Sequence, residues 1–302
     1  MIALNPCGRR HIVPIGFLFP LLLLGACSDH PDNIPHTTQA TMGKNVTAKV
    51  AVDIADHERD AGDSAGAVTF YRRALQTNPN QPKVEVSLGM ALLQTGSPND
   101  AADTFRRVLS RFPKDAGALT GLGMALVQLN QPTAALEPLR QGLAISPDPR
   151  GYRVLGVAEN LLGQNQQAEA DYTRGLALAP DDPGLSNNLG LSMALSGNFN
   201  GAIAVLRRAA SGPNATPQTR QNLALALGLA GRTAEAAQIA RADLDEQSVQ
   251  SNLAYYAVLR AMSPRERTDA LLKPLFVQQV QLAPTPIVQT PPPQPTQPTP
   301  AH

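Results

Sequence analysis

Tryptophan is absent from the 302 residues, and Phe and Tyr bring the aromatic share to only 4%. Stacking platforms for single-stranded nucleic acid need aromatic faces, so that class of partner is disfavoured. A core without large rings must be built from Ala, Leu and Val, which suits thin helices that pack closely. Cysteine is nearly missing too: Cys7 and Cys27 are the two in the chain. No disulfide or cysteine-rich metal site can support the 275 residues that follow Cys27 (302 minus 27). Neither sign of charge dominates, with 25 Lys and Arg against 24 Asp and Glu, and no long basic run argues for nucleic acid. The hydrophobic share of 43% is ordinary for a soluble fold.

The apolar run Ile12–Leu24 is 13 residues long and contains Pro14 and Pro20. A membrane-spanning helix needs about 20 residues, so this run is too short. With Arg9 and Arg10 before it, it has the charged and apolar regions of a secretory signal peptide. It ends in Leu24-Gly25-Ala26-Cys27, which resembles the lipobox of bacterial lipoproteins. That resemblance implies cleavage after Ala26, loss of Cys7 with residues 1–26, and acylation of the Cys27 thiol. Each buried methylene contributes about 0.8 kcal/mol, so several acyl chains would anchor stably. Ser28 stands where an Asp retains lipoproteins of well-studied Gram-negative bacteria at the inner membrane. The expected location is therefore the outer membrane, facing the periplasm. The plainer reading is an ordinary signal peptide followed by an unrelated cysteine. Residues 27–47 carry Pro31, Pro35 and few apolar side chains, and read as a flexible tether of roughly 25 Å r.m.s. length.

Internal repeats follow. A small residue preceded by Leu or Ile recurs at Ala55, Gly89, Gly123, Gly156, Gly190 and Ala224, in steps of 34, 34, 33, 34 and 34. Twelve residues after each stands an alanine: Ala67, Ala101, Ala135, Ala168, Ala202 and Ala236. Pro79, Pro113, Pro147 and Pro180 close four units in register, and Pro213 comes one place early. This pattern resembles the tetratricopeptide repeat. The resemblance implies an all-α superhelical solenoid of about six helix pairs over residues 48–250, with one or two capping helices over 251–282. Small residues let helix A and helix B of each pair approach closely. Gly62, Gly96, Gly163, Gly197 and Gly231 fall where helix A must stop, with Asn130 in the third repeat, because the left-handed position after a helix favours Gly and then Asn. Ser97 and Pro98 read as an N-cap and first-turn pair for a helix B. One repeat cannot bury its apolar face alone, whereas a stack makes a continuous core.

In Leu253–Leu259 the Tyr255 and Tyr256 rings are expected to cover the open end, and Ser263-Pro264 to start a short helix limited by Pro274. Residues 283–302 include Pro284, Pro286, Pro291, Pro292, Pro293, Pro295, Pro298 and Pro300. Such a tail forms polyproline II or stays disordered, serving as a spacer or a binding segment.

Catalytic signals are weak. Gly62-Asp63-Ser64-Ala65-Gly66 matches G-x-S-x-G, but that elbow needs a strand before it; Ser64 is better read as the N-cap of a helix B. His11, His30, His36, His57 and His302 form no metal-ligand spacing. No phosphate-binding or dinucleotide fingerprint occurs. The chain is read as no enzyme, with no cofactor and no metal.

Partner binding remains. Tetratricopeptide arrays use the concave face, lined by helix A, to hold polypeptides. The register turns Arg150, Arg153, Asn187, Asn188, Gln221 and Asn222 towards that face. Amides hydrogen-bond an extended backbone and arginines pair with carboxylates. Asn188 and Asn222 lie 34 residues apart and should share one wall. A purely structural role for the asparagines and a solvated surface role for the arginines are the alternatives.

The stretch Asn187-Asn188-Leu189-Gly190-Leu191, Ala202–Ala210, Arg220-Gln221-Asn222-Leu223-Ala224-Leu225-Ala226, Ala240-Arg241-Ala242-Asp243-Leu244 and Asn252-Leu253-Ala254-Tyr255-Tyr256 goes beyond a generic repeat. It resembles the TadD-like tetratricopeptide lipoproteins of the tight-adherence (Flp) pilus machinery, from which the Pro-rich tail departs. The resemblance implies a non-catalytic assembly role in pilus biogenesis and secretion, with pilotin-like help for the outer-membrane secretin. A general periplasmic scaffold for outer-membrane protein assembly or cell-wall enzymes is the alternative.

Overall fold

Every expected helix-A stop adopts the left-handed conformation. Gly62, Gly96, Gly163, Gly197 and Gly231 have φ of 88°, 72°, 74°, 96° and 78°, and Asn130 has φ 56°. At the first stop, Asp63 N–H donates to the Glu58 carbonyl (2.8 Å) and Gly62 N–H to the Arg59 carbonyl (3.0 Å). These two bonds satisfy carbonyls that the helix end would otherwise orphan.

The computed structural model describes residues 48–212 and 215–281, with side chains as far as Leu272. The signal segment, Cys27 and its tether, Pro213 and the Pro-rich tail lie outside the described residues. Fourteen helices and no strand occur among the described residues. They pair as α1 (Ala48–Asp60) with α2 (Ser64–Thr77), α3 (Pro82–Gln94) with α4 (Pro98–Arg111), and α5 (Ala116–Gln128) with α6 (Pro132–Ile145). Next come α7 (Pro149–Leu161) with α8 (Asn165–Leu178), α9 (Pro183–Ser196) with α10 (Phe199–Ala210), and α11 (Pro217–Leu229) with α12 (Thr233–Ala240). Two helices follow, α13 (Glu246–Ala261) and α14 (Pro264–Gln281). The architecture is the all-α tetratricopeptide-repeat solenoid expected from the repeats.

The caps correct one reading and keep another. Asp63, not Ser64, caps α2, accepting the Gly66 N–H at 2.8 Å. The Ser64 hydroxyl instead donates to Gln94 Oε1 at 2.8 Å. The Asp carboxylate can accept from the third residue on while Ser64 already has helical backbone, so the shorter hydroxyl is free to bridge repeats. Ser97 does occupy the N-cap of α4, but its side chain makes no capping bond.

Close approach explains the small residues. A Cβ on Gly89 would lie 2.6 Å from Phe105 Cε1, and one on Gly156 would lie 2.6 Å from Tyr172 Cε1. The large residue comes 16 positions after the small one: Tyr71, Phe105, Leu139, Tyr172 and Leu206, all fully buried. The sixth repeat places Ala240 there, and α12 is only 8 residues long. The bulk is supplied by α13, whose buried Tyr256 ring lies against Gly228 of α11.

Successive A helices touch along the stack, from α3 with α5 through to α11 with α13, whereas successive B helices make no comparable contact. The A helices therefore line the inner side of the curve. Here α14 leaves the repeat pattern. It packs chiefly on α7 and α9, and less on α13. It also passes through Pro274 to reach 18 residues, so it is not the short helix expected. A proline in mid-helix removes the N–H that would reach the Ala270 carbonyl; the Tyr255 hydroxyl donates weakly to that oxygen, at 3.5 Å. The start of α14 is a capping box, with Ser263 N–H donating to Glu266 Oε2 (2.9 Å) and Glu266 N–H to Ser263 Oγ (3.3 Å).

Candidate functional site

The inner face changes character along the stack. The position three residues before each small residue carries Val52, Val86 and Thr120 in the first three repeats, then Arg153, Asn187 and Gln221. Of the sequence-predicted residues, Arg150 is exposed and Arg153 half-buried at the start of α7. The Arg153 guanidinium reaches across to α9, where a Cβ on Gly184 would meet its Nη1 at 2.6 Å. Asn187, Asn188, Gln221 and Asn222 are all buried. Asn222 Nδ2 donates to Asn187 Oδ1 at 3.0 Å, joining α11 to α9. The observed cross-repeat amide pair is thus Asn187–Asn222, one residue off the Asn188–Asn222 alignment expected from equal spacing. Asn222 Oδ1 is buried with no direct hydrogen-bond partner.

A second group, which the sequence reading missed, lies where α7 and α9 meet α14. Tyr172 Oη accepts from Asn160 Nδ2 (3.1 Å), and Asn160 Oδ1 accepts from Ser192 Oγ (2.8 Å). Ser192 Oγ also lies 3.1 Å from the Asn165 carbonyl, and Asn165 Nδ2 donates to Thr268 Oγ1 on α14 at 3.0 Å. Beside this chain Arg267 is only 4% exposed. Its guanidinium donates to the carbonyls of Ala194 (3.2 Å) and Leu195 (2.9 Å) at the end of α9. It also donates to those of Leu259 (3.2 Å) and Met262 (3.0 Å) at the end of α13, and it stacks on the Phe199 ring at 5.2 Å. Two helix C-termini favour a cation in this place, and burial lowers the Arg267 guanidinium from its ordinary value. Leu271 and Leu272 complete the buried face of α14. The sequence carries a usable signal for it: Arg267 and Leu271, and Thr268 and Leu272, are each four apart and so share one helix face.

Below this layer sits a buried acid. Glu159 is 1% exposed, accepts from Arg140 Nη2 at 2.9 Å, and leaves Oε2 without a partner. Burial pushes its carboxyl up to about 7, with nearby Asp171 adding to the rise and Arg140 opposing it. Asp171 is itself paired with Arg174 at 2.6 Å. In the second repeat, at the other end of its A helix, buried Glu85 pairs with Arg111 at 2.6 Å. The Glu159 and Glu85 pairs each join two helices.

On the outer side, a cleft of about 470 Å³ lies between α2, α3 and α4, crossed by Arg72 and Asp100 at 3.5 Å. No group of three His, Cys, Asp or Glu suited to a metal ion occurs among the described residues. No helix among them is long and apolar enough to cross a membrane.

With six helix pairs and an inner face lined by A helices, the chain is a tetratricopeptide-repeat solenoid, a class that acts through extended concave binding surfaces. The family model described as tetratricopeptide repeat matches residues 86–148 and 162–216. Among solved structures, the chain is similar to PilW, described as a widely conserved type IV pilus biogenesis factor. The identity is 21%, over 69% of this chain and 99% of PilW, with a TM-score of 0.59. It is also similar to TTC0263, a thermophilic tetratricopeptide protein of Thermus thermophilus. There the identity is 24%, over 60% of this chain and 99% of the other, with a TM-score of 0.51. At these identities the likeness is one of fold. No curated protein matches the chain in sequence.

Proposed function

We propose that this chain is a non-catalytic scaffold of the outer membrane, held through acylated Cys27 and facing the periplasm, that assists Flp (tight-adherence) pilus biogenesis. Its task in that machinery is pilotin-like help for the secretin, with a segment of the partner held on the inner face of the A helices. The observation that carries the scaffold part is the continuous inner face made by successive A helices, with Arg150 exposed and Arg153 half-buried at the start of α7. Guanidinium groups in that place suit recognition of a carboxylate. The pilus part rests on the lipobox and on the resemblance of residues 187–256 to TadD-like lipoproteins. The fold shared with PilW is compatible with it and adds no more than that.

The test is complementation. In a strain lacking the gene, the wild-type chain restores surface pili and fractionates with the outer membrane. The Cys27→Ser variant stays folded, moves to the soluble periplasmic fraction and fails to restore them. A deletion strain with normal piliation sinks the pilus reading. A Cys27→Ser protein that stays with the membrane after a salt wash sinks the anchor.

A further inference from the structure

A capping helix would extend the stack by covering α13, yet Val258 of α13 remains 55% exposed. The last helix instead turns back to α7 and α9, bringing Thr268 to Asn165, 103 residues earlier in the chain. Only Met262 and Ser263 separate α13 from α14. The contact has the composition of a recognition site. A buried arginine anchors in four backbone carbonyls and on an aromatic ring, a threonine docks on a preformed asparagine, and two leucines fill the apolar part. On the repeat side the receptor is the Ala194 and Leu195 carbonyls, the Phe199 ring and Asn165, with Ser192 holding Asn160 and the Asn165 carbonyl together, while the Leu259 and Met262 carbonyls come from the end of α13. Such a surface does not need α14 for its own shape.

We propose that the inner face of repeats four and five is a receptor for an amphipathic helix, and that α14 is its resident, displaceable occupant. The external partner is a helix carrying an arginine followed by leucines four and five residues later, the spacing of Arg267, Leu271 and Leu272. Helix-in-groove binding reads anchors of this spacing. A tethered occupant competes at high effective concentration, so the site opens only to a partner that is tighter, more abundant or membrane-localised. This inference rests on the reading of the inner face as a polypeptide-binding surface and names the ligand that surface takes.

The experiment uses the full chain with Cys7→Ser and Cys27→Ser, which leaves it free of cysteine, and a fluorescein-labelled peptide of residues 264–281 as probe. Anisotropy titration should show weak binding to this parent chain. Arg267→Ala in the chain loosens the resident helix and should tighten binding of the wild-type peptide at least tenfold. The same substitution in the peptide should weaken it at least tenfold. Asn165→Cys with Thr268→Cys replaces the 3.0 Å hydrogen bond by a disulfide. The oxidised form should not bind, and dithiothreitol should restore binding. Equal affinity of parent and Arg267→Ala chains, or equal binding by oxidised and reduced forms, overturns the proposal. Should Arg267→Ala lose its helical circular dichroism, the oxidised and reduced pair decides alone. Because the probe is this chain's own segment, the outcome does not depend on whether a pilus component is the partner. Peptide binding with normal piliation in the deletion strain would retain this inference and remove the pilus reading.

Discussion

The two halves of the solenoid are built by different means. Repeats one to three hold three buried polar side chains, Glu85, Thr104 and Thr120. Among the described residues from Arg150 onward there are thirteen, from Glu159 to Thr268. The first half is specified by shape: the Phe105 ring is wedged against Gly89 of its own repeat and Gly121 of the next. The second half is specified by pairing, through the Asn187–Asn222 bridge, the Tyr172–Asn160–Ser192 chain and the Arg267 contacts. Shape is easily repeated in a stack of identical units. Buried polar groups instead cost free energy wherever a hydrogen bond is missing, and Glu159 Oε2, Asn165 Oδ1 and Asn222 Oδ1 are such places. The polar interior thus gathers on α9 and α11 and where α14 meets α7 and α9.

The most damaging way to test the shape half is Phe105→Ala. The ring is fully buried, so its removal should cost about 3–5 kcal/mol by urea denaturation. A loss below about 1 kcal/mol would mean that the glycines collapse onto the gap and that shape is not what specifies this half.

The pairing half is probed by Glu159→Gln. The carboxyl sits near 7 in the folded chain, above its unfolded value of about 4.3. A raised acid binds its proton more tightly when folded, so its stabilising contribution is complete below about pH 4. It declines as pH rises and is lost once pH passes about 7. The neutral amide escapes this decline. Glu159→Gln should therefore match wild type near pH 4.5 and exceed it at pH 8, by no more than about 4 kcal/mol. Parallel stability curves for the two proteins between about pH 5 and 7.5 would show that Arg140 already neutralises the site.

The smallest expected effect is at Asn130, the non-glycine among the left-handed stops. Asn130→Gly should raise stability by about 0.5 kcal/mol, since the left-handed strain exceeds the extra backbone entropy of glycine. A decrease would show that the Asn side chain contributes a bond that the turn geometry alone does not need.

The solenoid is legible in the sequence because its rules are local. A 34-residue recurrence of one small residue, with a Gly or Asn seven places after it and an alanine twelve places after it, needs no tertiary knowledge to read. Caps are harder, since Asp63 and Ser64 are adjacent and both suit an N-cap; only geometry shows that Asp63 reaches Gly66 N–H. Register places the amides on the A helices, but it cannot distinguish an amide that faces a partner from one, like Asn222, that faces Asn187. The face of α14 that packs can be read from its i, i+4 spacing, but where it docks cannot, for a stronger reason. The contact joins residues 103 apart across the repeat period, and Pro274, a breaker by every local rule, does not end the helix.

The return of α14 also alters how the stack can come apart. An open array of nearest-neighbour units frays from its ends, each unit melting with little regard for those further in. Here the terminal helix is stapled to the fourth and fifth units, so the sixth cannot unravel alone without tearing that clasp. Pulled or heated, the molecule should peel from its amino-terminal end and hold the other as one block, the end that a membrane tether would tug being the one built to yield first.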